Sequence, residues 1–183
     1  MLVTALNSLP AAATVSLAIY GLSLLAMLGF SAAYHLLPAP AWKGVLQRLD
    51  HAAIFVKIAG TYTPFAWIKI GGLSGYALLG SVWGIALLGA AGKLLFNRHW
   101  KGLDIALYLA LGWAGLAALN PLIASLTPKV LALLAIGGVL YSVGVIFHLW
   151  ESLKYQNAIW HAFVLAATCF HFSAVTTALF THA

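Results

Sequence analysis

The amino-acid sequence predicts an all-α fold, a polytopic membrane bundle of six transmembrane helices forming a single domain over residues 1–183. Three observations carry that expectation. The chain is 63% hydrophobic and 7% charged, with a mean hydropathy of +1.00, whereas a soluble domain carries about 25% charged side chains. From Met1 to Trp42 there is no Asp, Glu, Lys or Arg. And apolar runs long enough to cross about 30 Å of hydrocarbon recur along the whole chain, separated by short polar or Pro/Gly-containing breaks.

The runs lie at about 11–37, 50–69, 73–92, 103–120, 130–150 and 158–180. Pro38 and Pro40 end the first, because proline cannot donate to the helical ladder and constrains the residue before it. Gly71 and Gly72 separate the second from the third. Asn120 with Pro121 ends the fourth and shortest run. Thr127 caps the fifth, with Pro128 in its first turn. Short connections predict neighbouring up-and-down helices without separate domains. Strands are excluded, since the runs are about twice the length of a barrel strand and do not alternate in polarity.

Basic residues set the orientation. Lys43, Arg48, Lys93, Arg98, Lys101 and Lys154 fall in the first, third and fifth connections, against only Lys69 and Lys129 on the opposite side. The positive-inside rule puts the first group in the cytoplasm and, with six spans, both termini outside. The net charge of +6 is spread singly between apolar runs, which argues against a nucleic-acid partner; membrane lipids are the expected partners, and a homo-oligomer stays open. Cys169, the single cysteine, sits in an apolar run and reads as packing, with no disulfide or cysteine-rich metal site available to one chain. No Lys or Arg precedes Lys43, so the first run lacks a signal peptide's charged region and reads as a retained span.

Polar residues gather at one depth. The first span closes on Ser31-Ala-Ala-Tyr-His35, whose four-residue spacing puts Ser31 and His35 on one helix face. The second opens on Arg48-Leu-Asp50-His51, and the sixth on Asn157-Ala-Ile-Trp-His161, again an i, i+4 pair. Taken singly, each is an ordinary interfacial polar group. Two histidines and an aspartate converging at the cytoplasmic depth from distant parts of the chain point instead to a metal site, because ionisable groups within spans are costly.

The chain resembles the bacterial hemolysin III proteins, relatives of the progestin and adiponectin receptors, over nearly its whole length. The resemblance is carried by Ser31 to His35, by Leu49-Asp50-His51-Ala-Ala-Ile-Phe through Ile58-Ala-Gly-Thr-Tyr-Thr-Pro64-Phe65, and by Ile159-Trp160-His161 through His171-Phe172. It implies a seven-helix fold, of which the first helix has no counterpart here, in the bacterial inner (plasma) membrane. It also implies a zinc ion near the cytoplasmic face held by three histidines, with an aspartate reaching the metal through water. By position His35 and His161 become ligands, Ser31 a supporting hydroxyl and Asp50 the carboxylate. The remaining ligand position falls on Asn157, and an amide is a weaker zinc ligand than imidazole. Direct ligation by Asp50, or a contribution from His148, would compensate; His171 lies about 15 Å deeper than His161 along the helix.

Three functions stay open on this reading. A zinc ion with one open position supports a hydrolase of lipid amides or esters, an inference from relatives that resemble ceramidases, with Asp50 and Ser31 as catalytic groups. A closed metal site would make the protein a non-enzymatic sensor or homeostasis protein. A cytolytic pore ranks behind both, since no span shows a continuous polar stripe. Lys57, two turns from Asp50, is either a buried counter-charge or a snorkelling side chain. His99 and His182 read as solvated, and Trp42, Trp100, Trp150 and Tyr155 as an interfacial aromatic belt.

Overall fold

The computed structural model describes residues 9–96 and 101–180, with the backbone alone of Lys101. Among these residues the chain is helical almost throughout and contains no strand. His99, Arg98, Trp100 and His182 lie outside the described residues.

Helix α1, Ala11–Leu36, stops where Leu37, the residue before Pro38, turns extended at φ −78°, ψ 126°. After a 3-10 turn at Pro40–Trp42, α2 runs from Lys43 to Thr63. It therefore begins seven residues before the apolar run that marks it in sequence, because its first two turns are polar. Asp50 consequently lies inside the helix, not at its start. The chain passes Pro64 without stopping, widening into a π-helical segment over Pro64–Ile70; the wider turn accommodates a ring that has no N–H to offer the ladder. Gly71 and Gly72, at φ +59° and +55°, then reverse the chain into α3, Gly72–Leu95, in a conformation that costs glycine little.

The fourth run departs most from expectation. It consists of α4, Lys101–Gly112, a 3-10 segment, Ala114–Ala118, and α5, Leu119–Ser125. The break comes at Gly112, and Asn120-Pro121, read from sequence as the end of the run, sits in the first turn of α5. A proline there gives up an N–H that has no helical acceptor anyway. Free backbone groups inside a membrane need partners, and Tyr62 supplies them: its hydroxyl donates to the Gly112 carbonyl at 2.7 Å and accepts from the Gly115 N–H at 2.9 Å. Helix α6, Pro128–Leu149, starts as expected, with Thr127 Oγ1 accepting from the Val130 N–H, and α7 is Gln156–Phe180.

Among the described residues, five stretches are long and apolar enough to cross a membrane: α1, α3, residues 102–125, α6 and α7. Helix α2 is not among them, because Arg48, Asp50 and Lys57 lower its hydropathy. Two of these do not face outward: Asp50 and Lys57 are 8% and 3% exposed. Outward positions on the other helices are large and apolar, such as Leu22 at 67% and Leu88 at 77%, a surface that only lipid accommodates at this extent.

The chain divides into two compact units, residues 1–118 and 119–183. In the first, α2 packs on α1, α3 and α4 around Phe55, Ala59, Ala66, Val82, Ala86 and Leu111. The approach is close where side chains are small. A Cβ on Gly60 would strike the Ser23 side chain, and one on Gly89 would lie 2.6 Å from the Phe55 ring. The string Thr61-Tyr62-Thr63-Pro64 has a structural role here, since Thr63 Oγ1 accepts from Trp83 Nε1 at 3.1 Å while Tyr62 bridges the break in the fourth run.

In the second unit, α6 and α7 form an antiparallel hairpin. Gly137 lies under the His171 ring and Gly144 under Trp160 and Phe163. Tyr141 and Thr168 share a hydrogen bond of 2.6 Å between their hydroxyls.

Candidate metal site

The last two turns of α1 bring Ser31 and His35 to the end of the helix near the basic connection. Lys43 holds that end in place, donating to the Tyr34 carbonyl with its ammonium 4.9 Å from the Tyr34 ring centre. The Tyr34 and His35 rings meet edge to face at 4.7 Å. Across from them, Asp50 is buried in α2, and the Ser31 hydroxyl donates to its carboxylate. His35 and His51 both lie close enough to Asp50 to stabilise its negative charge. Thus Ser31, His35 and Asp50, which sequence placed at one depth, meet within the first unit. The Ser31 hydroxyl is directed at Asp50 here, orienting a carboxylate as second-layer groups do around metals. His35 itself is exposed.

In the second unit, Asn157 and His161 occupy the first turns of α7, Asn157 exposed and His161 half-buried. Gln156 Nε2 donates to the His148 carbonyl, joining the end of α6 to the start of α7. The His148 ring lies 5.0 Å from that of Trp160, tilted by 44°. Among the described residues, no group of three or more His, Cys, Asp or Glu side chains is placed to hold a metal ion.

The sequence as a whole matches the family described as Haemolysin-III related, over residues 1–172. The chain belongs to the hemolysin III family. It is 41% identical over 161 residues to the hemolysin-3 homolog of Bacillus subtilis (strain 168), covering 88% of this chain and 76% of that protein. With hemolysin-3 of Bacillus cereus it shares 40% identity over 165 residues, 90% of this chain and 75% of that one. A more distant likeness, 27% over 170 residues, links it to the human monocyte to macrophage differentiation factor, covering 86% of this chain and 67% of the relative. No solved structure matches it. Family and helices together make this a multi-pass integral membrane protein.

Other polar residues of this hemolysin III chain find different settings. Lys57 is enclosed by the first unit, so its head does not snorkel to the surface. His171 faces the Leu134 carbonyl across 3.3 Å, with Tyr141 5.5 Å away between ring centres. Cys169, expected to be a packing residue, is exposed on α7; the buried face of that helix runs through Ala167, Thr168, Ala174 and Val175. Trp42, Trp150 and Tyr155 are exposed near helix ends, as an aromatic belt requires. Three groups went unread in the sequence: Tyr62, Tyr108 and the Lys93–Asp104 ion pair. For the pair a signal existed, a base closing one apolar run and an acid opening the next.

Proposed function

We propose that this hemolysin III protein is a zinc-dependent hydrolase of lipid amides or esters in the bacterial inner membrane, with its site at the cytoplasmic face. The observation that carries the reading is the buried Asp50 carboxylate, held by the Ser31 hydroxyl beside His35. A buried carboxylate with a dedicated donor and a neighbouring imidazole is a donor set that suits zinc. By the family resemblance His35 and His161 would be zinc ligands, Asn157 a weak donor and Asp50 the supporting carboxylate. So held, zinc supplies a Lewis acid and a water molecule of lowered pKa.

The chain's own groups have separate tasks. Asp50 accepts a proton at its carboxylate oxygen as general base. Ser31 keeps that oxygen aimed through its single hydroxyl proton, which is donated to the Asp50 carboxylate. A site at headgroup depth selects substrates already in the bilayer.

Elemental analysis of protein purified in detergent, followed by turnover of a ceramide-type amide and a phospholipid ester, tests the proposal. About one zinc per chain is expected, falling sharply in His35→Ala and His161→Ala while His171→Ala retains it. Metal well below one per chain in the unaltered protein would remove the reading. Full metal with no turnover of either substrate would favour the sensor.

A further inference from the structure

Helix α2 presents Asp50 toward α1, and elsewhere on its surface it makes contacts with α3 and α4 that the proposed site leaves unused. Lys93, near the end of α3, and Asp104, in the first turn of α4, form an ion pair whose side chains are only 7% and 17% exposed. One turn further along α4, Tyr108 donates to the backbone carbonyl of His51 at 3.0 Å. Its ring packs on Phe55 at 4.5 Å between centres, and Phe55 lies against α3 over Gly89. Arg48 reaches the Leu94 carbonyl at the end of α3, 3.4 Å away. Both the Asp50 and Asp104 carboxylates lie within electrostatic range of the Tyr108 hydroxyl.

A buried ion pair adds little net stability, because desolvation offsets most of the attraction; its better-attested use is to select one arrangement. The arrangement at stake here is the rotation of α2 about its own axis. Small apolar faces such as those around Ala52, Ala53 and Ala59 slide past one another at little cost, and a turn of about 100°, one residue's angle, would carry Asp50 away from Ser31. Ser31 resists that turn from α1. From α4, a second hydrogen bond on an already engaged helix carbonyl resists it at the same depth, one residue along.

We infer that Tyr108, held in register by the Lys93–Asp104 pair, is a positioning residue that sets the rotation of α2 and so keeps Asp50 against Ser31. Its consequence for metal binding rests on the function proposed above, whereas the orientation itself does not.

The test uses the full chain in detergent with S31C and D50C in a C169S background, without metal, and the short thiol-bridging fluorophore dibromobimane. Bridging is expected to be efficient with Tyr108 in place. Tyr108→Phe, which keeps the ring on Phe55 but removes the hydroxyl, should lower the yield several-fold with helical content and melting little changed. Lys93→Asp should lower it too, and the exchange Lys93→Asp with Asp104→Lys should recover most of that loss, which a general packing defect would not. Equal bridging in the parent and Tyr108→Phe overturns the inference, and loss without recovery in the exchange overturns the part assigned to the ion pair. Zinc titration of Tyr108→Phe with Ser31 and Asp50 intact should show roughly tenfold weaker binding, in keeping with a second-layer group. Failure of the unaltered chain to bind zinc would end the proposed function and leave the bridging result standing by itself.

Discussion

The two units of the chain treat charge in opposite ways. In residues 1–118, Asp50, Lys57 and Lys93 are turned inward and less than 9% exposed. In residues 119–183, the charged side chains Lys129, Glu151 and Lys154 are all exposed, and the interior of the α6–α7 hairpin is joined by glycines and neutral hydrogen bonds. A hairpin that only has to be stable in lipid needs close backbones and satisfied dipoles. A unit that pays to bury charge has a further reason to do so. Among the described residues the contrast places the enclosed charge in the first unit alone.

The sharpest way to break this comparison is to remove one buried charge from the first unit. Lys93→Met leaves the Asp104 carboxylate enclosed without its partner, and should cost about 3–5 kcal/mol, measured by denaturant unfolding in mixed micelles. The corresponding loss in the second unit, Tyr141→Phe at the hydrogen bond to Thr168, should cost only about 1 kcal/mol. Equal costs would mean that the inward charges are ordinary packing.

Overfilling the hairpin is expected to come next. Gly137→Leu forces a side chain against the His171 ring and should destabilise by roughly 1–3 kcal/mol, whereas Gly84→Leu, where a Cβ would meet nothing within 4 Å, should be close to neutral. Thermal aggregation of the two variants in detergent separates them, and matching midpoints would show that the hairpin is not closely packed.

Asn157→His sharpens the comparison from the other side. If the second unit offers a weakened ligand, an imidazole one turn before His161 should raise zinc affinity roughly ten- to hundredfold, since imidazole suits zinc better than an amide carbonyl does. Tight binding by the unaltered protein that this substitution leaves unchanged would show that Asn157 is not a ligand position. The smallest effect concerns the turn into α7, where Tyr155 holds φ +64°. A left-handed conformation strains a bulky residue by about 1–2 kcal/mol, so Tyr155→Gly should raise the melting midpoint by a few degrees. A drop would mean that the exposed ring contributes more than the strain costs.

Much of this was legible in the residues. Hydrophobic runs located the helices because lipid demands continuous apolar length, and the Thr127-Pro128 cap and the Gly71-Gly72 reversal followed from backbone chemistry alone. Four-residue spacing set Ser31 and His35 on one helix face, and the opening of the second span set Asp50 at the same depth. The break at Gly112 was not legible, because its compensation comes from Tyr62, fifty residues away in sequence, and a glycine in an apolar run carries no local sign of whether a distant hydroxyl will satisfy the groups it frees. For the same reason Asn120-Pro121 was misread as an end; a proline signals a discontinuity without saying on which side the helix lies.

The sequence by itself therefore determined that the chain is a helical membrane protein, where its spans run and which residues could carry chemistry, since these depend on composition and local periodicity. Which way each inward residue points was decided only by the tertiary structure. In α2, Lys57 and Asp50 look in sequence like interruptions of a span, and it is the packing of α1, α3 and α4 around them that turns them into an enclosed interior. Likewise Lys93 and Asp104 form a pair only because α3 and α4 meet, a matter of contact between helices that no periodicity along one of them encodes.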